Sequence, residues 1–241
     1  MRDLDFFLKQ YAPVTTQMAF VEMPAIAFAE KLFLRTEETI KMWELPWQAK
    51  KHTVHGDLND KLLALLPLTS VRSSKTLVSE TRSNWSAYIP NGHKGGDVHA
   101  EPTYLAGKLG IRTLTIVLVE DVPQGQPGSI QFILRDGRNA VEVKTRHGIM
   151  YESTTRSVSV HKEGRWEFSQ HGNPLPFEEI ENYDAKKMKD RLTIEMVERY
   201  SDQLGIKLFD PEFYAGDGFV IDSYPPPNTT YYSEYPNQLP R

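Results

Sequence analysis

Between Ser129 and Phe168 the chain reads SIQFILRDGRNAVEVKTRHGIMYESTTRSVSVHKEGRWEF, runs rich in Val, Ile, Tyr and Phe parted by glycine-bearing turns at Gly137, Gly148 and Gly164. Branched and aromatic side chains suit a pleated, half-buried surface, and glycine lets a strand reverse tightly. The stretch therefore predicts an antiparallel meander. Just upstream, IRTLTIVLVED (111–121) is nearly continuously apolar after Thr115, as a strand covered on both faces would be. It is expected at the centre of the sheet.

The flanking segments supply further strands and the helices. TTQMAFVEM (15–23), KTLVSET (75–81) and NWSAYIP (84–90) read as strands, and in the last of these Trp85, Ala87 and Ile89 share a face by the two-residue period. Ile26, Ala29, Phe33 and Ile40 recur at helical spacing after Pro24, which predicts a helix over 25–43. Asp57 is placed to cap a short helix in LNDKLLALL, and Gly110 to end one in EPTYLAGKLG. Two helical pieces are expected within 177–204, the last capped by Thr193 and closed by Gly205.

The expected fold class is α+β: a mixed or antiparallel central sheet with the 129–168 meander, flanked by helices near 25–43, 101–109 and 194–204, in a single domain over 1–221. Residues 222–241, DSYPPPNTTYYSEYPNQLPR, form an extended C-terminal arm. Its three prolines, Pro225 to Pro227, favour a polyproline conformation, and the segment cannot build a core of its own.

Composition narrows the function classes. At 241 residues without cysteine, the chain can bury a sizeable core, and it offers no disulfide, thiolate metal site or cysteine nucleophile. That usage suits a reducing cytoplasm, and the acidic start MRDLDFFLKQYAP lacks the positive and apolar regions of a signal peptide. The longest apolar runs, LLALLPL and IVLV, fall far short of the ~20 residues that span a bilayer, so no membrane partner is expected. The net charge of -4 is carried by the segment from Asp210 onward, where Asp210, Glu212, Asp217, Asp222 and Glu234 face only Arg241. The remainder is balanced and has no basic stripe, which disfavours nucleic acid.

The chemistry-bearing candidates concentrate in NGHKGGDVHAEPTYLAGKLG (91–110), which places His93, Asp97, His99 and Glu101 on a glycine-bearing loop running into a helix. Two imidazoles and two carboxylates could bind a divalent ion or tune a general base if they converge. The spacing matches no zinc motif, and a polar loop whose Glu101 complements a helix N-terminus explains it equally. NGHKGG has neither the Gly-Lys-Ser/Thr run of a phosphate-binding loop nor the three-glycine dinucleotide fingerprint, so its glycines are read as turning the backbone; no cofactor is expected. His52, His55 and Asp57 form no HExxH pattern and read as solvated, and the chain has no GxSxG elbow. Trp85, Tyr88, Trp166, Phe168 and Phe177 could line a pocket but read first as core, with Trp85 and Trp166 expected to be largely buried. In the arm, Tyr224, Tyr231, Tyr232 and Tyr235 are of the type favoured at interfaces and are candidate partner-binding residues.

Two stretches, NWSAYIPNG and GRWEFSQHGNPLPFEEIENYDAKKMKDRLTIEMVERYSDQLGI, resemble segments of uncharacterised soluble bacterial proteins, with some likeness to immunity proteins that neutralise antibacterial toxins. The resemblance implies bacterial origin and a binding role, and it carries no catalytic motif. Two function classes follow. The first is a non-catalytic protein-binding role, as an immunity protein or inhibitor, with another protein or a second copy as partner. The alternative is a metal-dependent hydrolase built on His93, Asp97, His99 and Glu101.

Overall fold

The structure is a computed structural model that describes residues 3–70, 72–121, 127–145, 148–225 and 227–236. Helix α1 (Asp3–Tyr11) leads to β1 (Gln17–Val21) and then α2 (Ala25–Met42). Next come β2 (Lys50–Val54), α3 (Leu58–Leu63), the short β3 (Leu68–Thr69), β4 (Lys75–Ser79) and β5 (Ser86–Pro90). After α4 (Ala100–Leu109) the chain forms β6 (Arg112–Val119), β7 (Ser129–Asp136), β8 (Val141–Thr145), β9 (Gly148–Glu152), β10 (Thr154–Glu163) and β11 (Arg165–His171). Single helical turns lead to α5 (Ile194–Gln203), and β12 (Gly218–Asp222) and β13 (Tyr231–Tyr232) follow.

Local chemistry sets the helix boundaries. Asp57 and Asp60 close a reciprocal capping box on α3, and Thr193 accepts from the Met196 amide at the start of α5. Gly110, at φ 68°, ends α4 in the left-handed conformation, as its position after Leu109 predicted.

Nine strands form one sheet in the order β11-β10-β7-β6-β1-β5-β4-β12-β2, every neighbouring pair antiparallel. The α+β expectation is met. β1 shows how both faces are covered: Met18 and Phe20 point into one cluster with α3 and α5 residues, while Ala19 and Val21 point into another with α2 and Leu105 of α4. β6 behaves in the same way, with Leu114, Ile116 and Leu118 on one face and Val117 and Val119 on the other. Its continuous apolar run is explained by this double burial.

The structure departs from the sequence expectation in several places. The meander is interrupted, because β8 and β9 leave the sheet as a separate hairpin and β10 returns directly to β7. The hairpin is held on α4: a Cβ at Gly107 would lie 2.3 Å from Cβ of Tyr151, so only glycine admits that ring, which meets Tyr104 edge-on at 5.6 Å. The short helical pieces expected from 177 are turns at Ile180–Asp184 and Met188–Asp190, with only Ile194–Gln203 forming α-helix. Trp85 is fully buried and donates from Nε1 to the Leu204 carbonyl at 3.0 Å, whereas Trp166 is only half-buried on β11 near the sheet edge. Among the described residues, no helix is long and apolar enough to cross a membrane.

A buried ion pair ties β10 to the segment that follows β11. Arg156 and Glu178 both have fully buried side chains, and Nη2 of Arg156 donates to Oε2 of Glu178 at 2.7 Å while Nε donates to Oε1 at 2.9 Å. The remaining guanidinium donors reach the Gly172 carbonyl at 2.8 Å and Gln170 Oε1 at 2.9 Å. Glu178 also accepts from the Leu175 amide and from the Tyr183 hydroxyl at 2.6 Å. Burying the pair is tolerable because each charge is fully hydrogen-bonded.

The C-terminal arm lies against the rest of the chain. Ser223 N–H donates to the Ser74 carbonyl at 2.7 Å, β13 pairs with β3, and Tyr235 is buried with its hydroxyl donating to the Leu62 carbonyl at 2.6 Å. Pro226 of the expected polyproline stretch, and residues 237–241, lie outside the described residues.

Candidate functional site

Along its first half, α2 packs tightly on the sheet through Ala25, Phe28, Ala29 and Leu32, a spacing that keeps one face inward. Beyond Leu32 the inward positions become Thr36, Thr39 and Ile40, and a cavity of about 540 Å³ opens between the helix and the sheet. Each threonine hydroxyl is already committed, Thr36 to the Leu32 carbonyl at 2.8 Å and Thr39 to the Arg35 carbonyl at 2.9 Å. The helix therefore turns mainly methyl groups toward the space.

The floor crosses three adjacent strands. Tyr88 of β5, Thr76 of β4 and Ile221 of β12 lie on one sheet face, with Thr76 directly opposite Ile221 and Val78 opposite Tyr88. The start of α4 closes one side with Asp97, Ala100 and Glu101, while Leu45 and Tyr224 line the cavity beyond the α2 C-terminus. Arg72 and Ser73 complete the wall between them in sequence. A volume of this size is typical of sites that enclose small organic ligands, for which about 300–1,000 Å³ is usual.

The carboxylates give the cavity its polarity. Asp97 Oδ1 accepts from the amides of His99 at 2.8 Å and Ala100 at 3.1 Å, a local side-chain turn just ahead of α4 that occupies two amides at the helix start. Glu101 stands in the first turn, with Oε2 buried and without a hydrogen-bond partner among the described residues. Arg35 Nε is 3.7 Å away, an ion pair too long for a hydrogen bond, and the Arg35 guanidinium sits over the Tyr104 ring at 4.4 Å. Burial pushes the Glu101 carboxyl above its ordinary value, opposed by Arg35 and Arg72 and reinforced by Asp97. Burial likewise raises the Tyr88 phenol, with Glu101 adding to the effect. Ser73 Oγ is a second buried polar atom without a partner among the described residues. Both atoms are closed off from solvent, and at Glu101 the ion pair with Arg35 offsets part of the cost of that burial.

The four loop residues singled out by the sequence separate here. Asp97 and Glu101 line the cavity; His93 and His99 do not. His93 stacks on Tyr232 of the arm, with ring centroids 3.8 Å apart at 10°. His99 places Nδ1 3.5 Å from Nη2 of Arg135, and burial together with that guanidinium holds the imidazole below its ordinary value despite Asp97. Among the described residues, no three His, Asp or Glu side chains gather in a way that could hold a metal ion. The loop glycines serve close packing: a Cβ at Gly96 would lie 2.4 Å from Cγ of Pro90, and one at Gly95, φ 81°, 2.6 Å from Gln17 Nε2.

The other candidates are placed as follows. His55 Nδ1 meets Asp217 Oδ1 at 2.8 Å on the exposed surface, and His52 lies on β2, also exposed. Of the five strand and loop aromatics, only Tyr88 reaches the cavity; Trp85 is core, and Trp166, Phe168 and Phe177 pack partly buried against the opposite face. Among the arm tyrosines, Tyr224 lines the cavity and meets Trp47 edge-on at 6.4 Å, Tyr231 and Tyr232 pair with β3, and Tyr235 is buried. Arg72, Ser73, Thr36, Thr39 and Thr76 were not singled out by sequence reasoning. The one local signal was the pair of threonines that interrupts the apolar stripe of α2. The chain matches no protein-family model, no curated protein and no solved structure.

Proposed function

We propose that this chain is a binding protein that encloses a small organic molecule in the cavity between α2 and the β5-β4-β12 floor. The observation that carries the reading is the cavity of about 540 Å³ itself, walled by apolar side chains of α2 and the floor with Asp97, Glu101 and Arg72 also in its lining. A molecule with an apolar body and a few polar groups would match such a lining. The test is a library screen by thermal shift on the wild type and on Thr36→Trp, whose indole would occupy the space. Hits should stabilise the wild type and lose their effect on the variant. Equal stabilisation of both proteins would place the binding elsewhere and refute the reading.

A protein-binding role, as an inhibitor or immunity protein, is a second reading, favoured by one observation. Met42 and Trp43 are each 67% exposed at the end of α2, and Trp47 nearby is 42% exposed. Exposed aromatic and methionine side chains in such proximity are characteristic of contact surfaces. Trp43→Asp should abolish capture of a stoichiometric partner from the source cell. Unchanged capture would remove this support. Either role is compatible with a cytoplasmic chain that uses no cysteine.

A further inference from the structure

We propose that two copies of this chain associate by pairing their β8 strands antiparallel about Val143, which joins the two β8–β9 hairpins into one four-stranded sheet. The interface lies apart from the residues that line the α2 cavity and does not depend on that reading.

The hairpin leaves an edge open. Among the described residues β8 pairs with β9 alone, and it is β9 that rests on α4, through Tyr151 against Gly107. On the hairpin face turned away from Tyr151, Val141 and Met150 are 61% and 59% exposed, with Val143 between them and directly opposite Met150. An exposed apolar strand with a free ladder is a template for another strand. The edge strand β2 guards itself with Lys50 and Lys51, whereas β8, VEVKT, carries one acid and one base, Glu142 and Lys144, both exposed.

Charge and backbone select the same occupant and the same register. Thr145 and Gly148 pair with two residues between them, a spacing closed by a backbone bond between the flanking residues. Bonded pairs alternate along an antiparallel ladder, so Val141 and Val143 also bond to β9, and Glu142 and Lys144 turn their amides and carbonyls to the open edge. Antiparallel pairing about Val143 sets Glu142 of each copy opposite Lys144 of the other, where the outward backbone groups of both residues meet and the side chains are of opposite charge. Parallel pairing in register, or antiparallel pairing about Glu142 or Lys144, would instead put like charges together. In the favoured register Val143 meets its own copy on the two-fold axis and Val141 faces Thr145, so the apolar face continues from one hairpin to the other. The shared edge is short, a five-residue strand of about 17 Å, which places the dimer among weak, reversible ones with Kd on the order of 10–100 µM.

The experiment is analytical ultracentrifugation of the full chain over about 1–500 µM, where the wild type should pass from monomer to dimer. In Glu142→Lys and in Lys144→Glu both opposed pairs become like charges, and each variant alone should dissociate about tenfold more readily. Mixed in equal amounts the two variants should associate about as tightly as the wild type, because each supplies the charge that the other now lacks. Both side chains are exposed, so the variants should keep the fold, which far-ultraviolet circular dichroism checks. Trp43→Asp, at the exposed end of α2, should leave the association unchanged. A wild type that stays monomeric at the highest concentration, single reversals that associate like the wild type, or a mixture no tighter than its components would overturn the proposal, as would loss of the dimer in Trp43→Asp, which would move the contact to α2.

Discussion

Removing the carboxylate of the Arg156–Glu178 pair should be among the most damaging single changes in this chain. Glu178→Leu deletes the acceptor for Nε and Nη2 of Arg156 and leaves a guanidinium whose side chain has no solvent exposure. Arginine cannot discharge itself by losing a proton at ordinary pH, so the cation remains buried with only the Gln170, His171 and Gly172 oxygens around it. The substitution also strands the Leu175 amide and removes the strongest acceptor of the Tyr183 hydroxyl. Breaking a buried pair from one side costs about 3–5 kcal/mol, and the stranded donors place this case at the upper end. Arg156→Met should cost less, about 2–3 kcal/mol, because the carboxylate keeps two donors and can take up a proton. In the double variant both charges are gone, so its loss should fall well below the sum of the two singles. Urea denaturation followed by far-ultraviolet circular dichroism gives all the terms of the cycle. Additive losses, or a Glu178→Leu cost under about 1 kcal/mol, would refute the reasoning.

The remaining expectations concern the core, the loop histidine and the arm. Trp85→Ala, which empties a fully buried site and removes the Nε1 bond to Leu204, should cost about 3–5 kcal/mol, whereas the half-buried Trp166→Ala should cost about 1–2 kcal/mol; equal losses in urea melts would contradict the difference in burial. Because burial and Arg135 hold His99 below its ordinary value, the unfolded chain takes up a proton there first. The His99 contribution to stability should therefore be present at neutral pH and decline as pH falls below about 6.5, and a His99→Gln variant measured at several pH values should lack that decline. Truncation after Asp222 should leave a folded but weaker protein, since it removes the buried Tyr235 and the β13–β3 pairing, with a loss of about 2–4 kcal/mol; a thermal midpoint identical to that of the full chain would show that the arm contributes nothing.

Segments whose pattern is complete within a few residues were legible in the sequence, and those defined by distant neighbours were not. The continuous apolar run of β6, the helix stripe of α2 and the Asp57, Thr193 and Gly110 boundaries each have a local cause. β12 does not: GFVID sits in an acidic, glycine-bearing stretch and becomes a strand because β4 and β2 leave a lane between them. β2, KKHTV, lacks apolar alternation because it is the exposed sheet edge. α1 went unread, although Phe7 and Tyr11 stand one turn apart and both are buried. The site was half legible. Asp97 and Glu101 were singled out together with His93 and His99, but the cavity they line draws its other walls from α2, β4, β5, β12 and the start of the arm. Each of those residues is ordinary in its own segment, and only the sheet order brings them together.

That sheet order also sets a schedule for synthesis. β2 has a single partner, β12, and residues 55–217 separate the two in the chain. At about 5–20 residues per second, β2 leaves the ribosome roughly 8–30 s before its partner exists. During that interval β4 too presents an unsatisfied edge where β12 will lie, so the nascent protein carries two open ladders near its start. Lys50, Lys51 and His52 on β2 place polar, basic groups along one of them, the kind of side chain that discourages pairing with a neighbouring nascent chain. Slowing translation over the last third of the message should lengthen this exposure and lower the yield of folded protein, more so in a Lys50→Val/Lys51→Val variant than in the wild type.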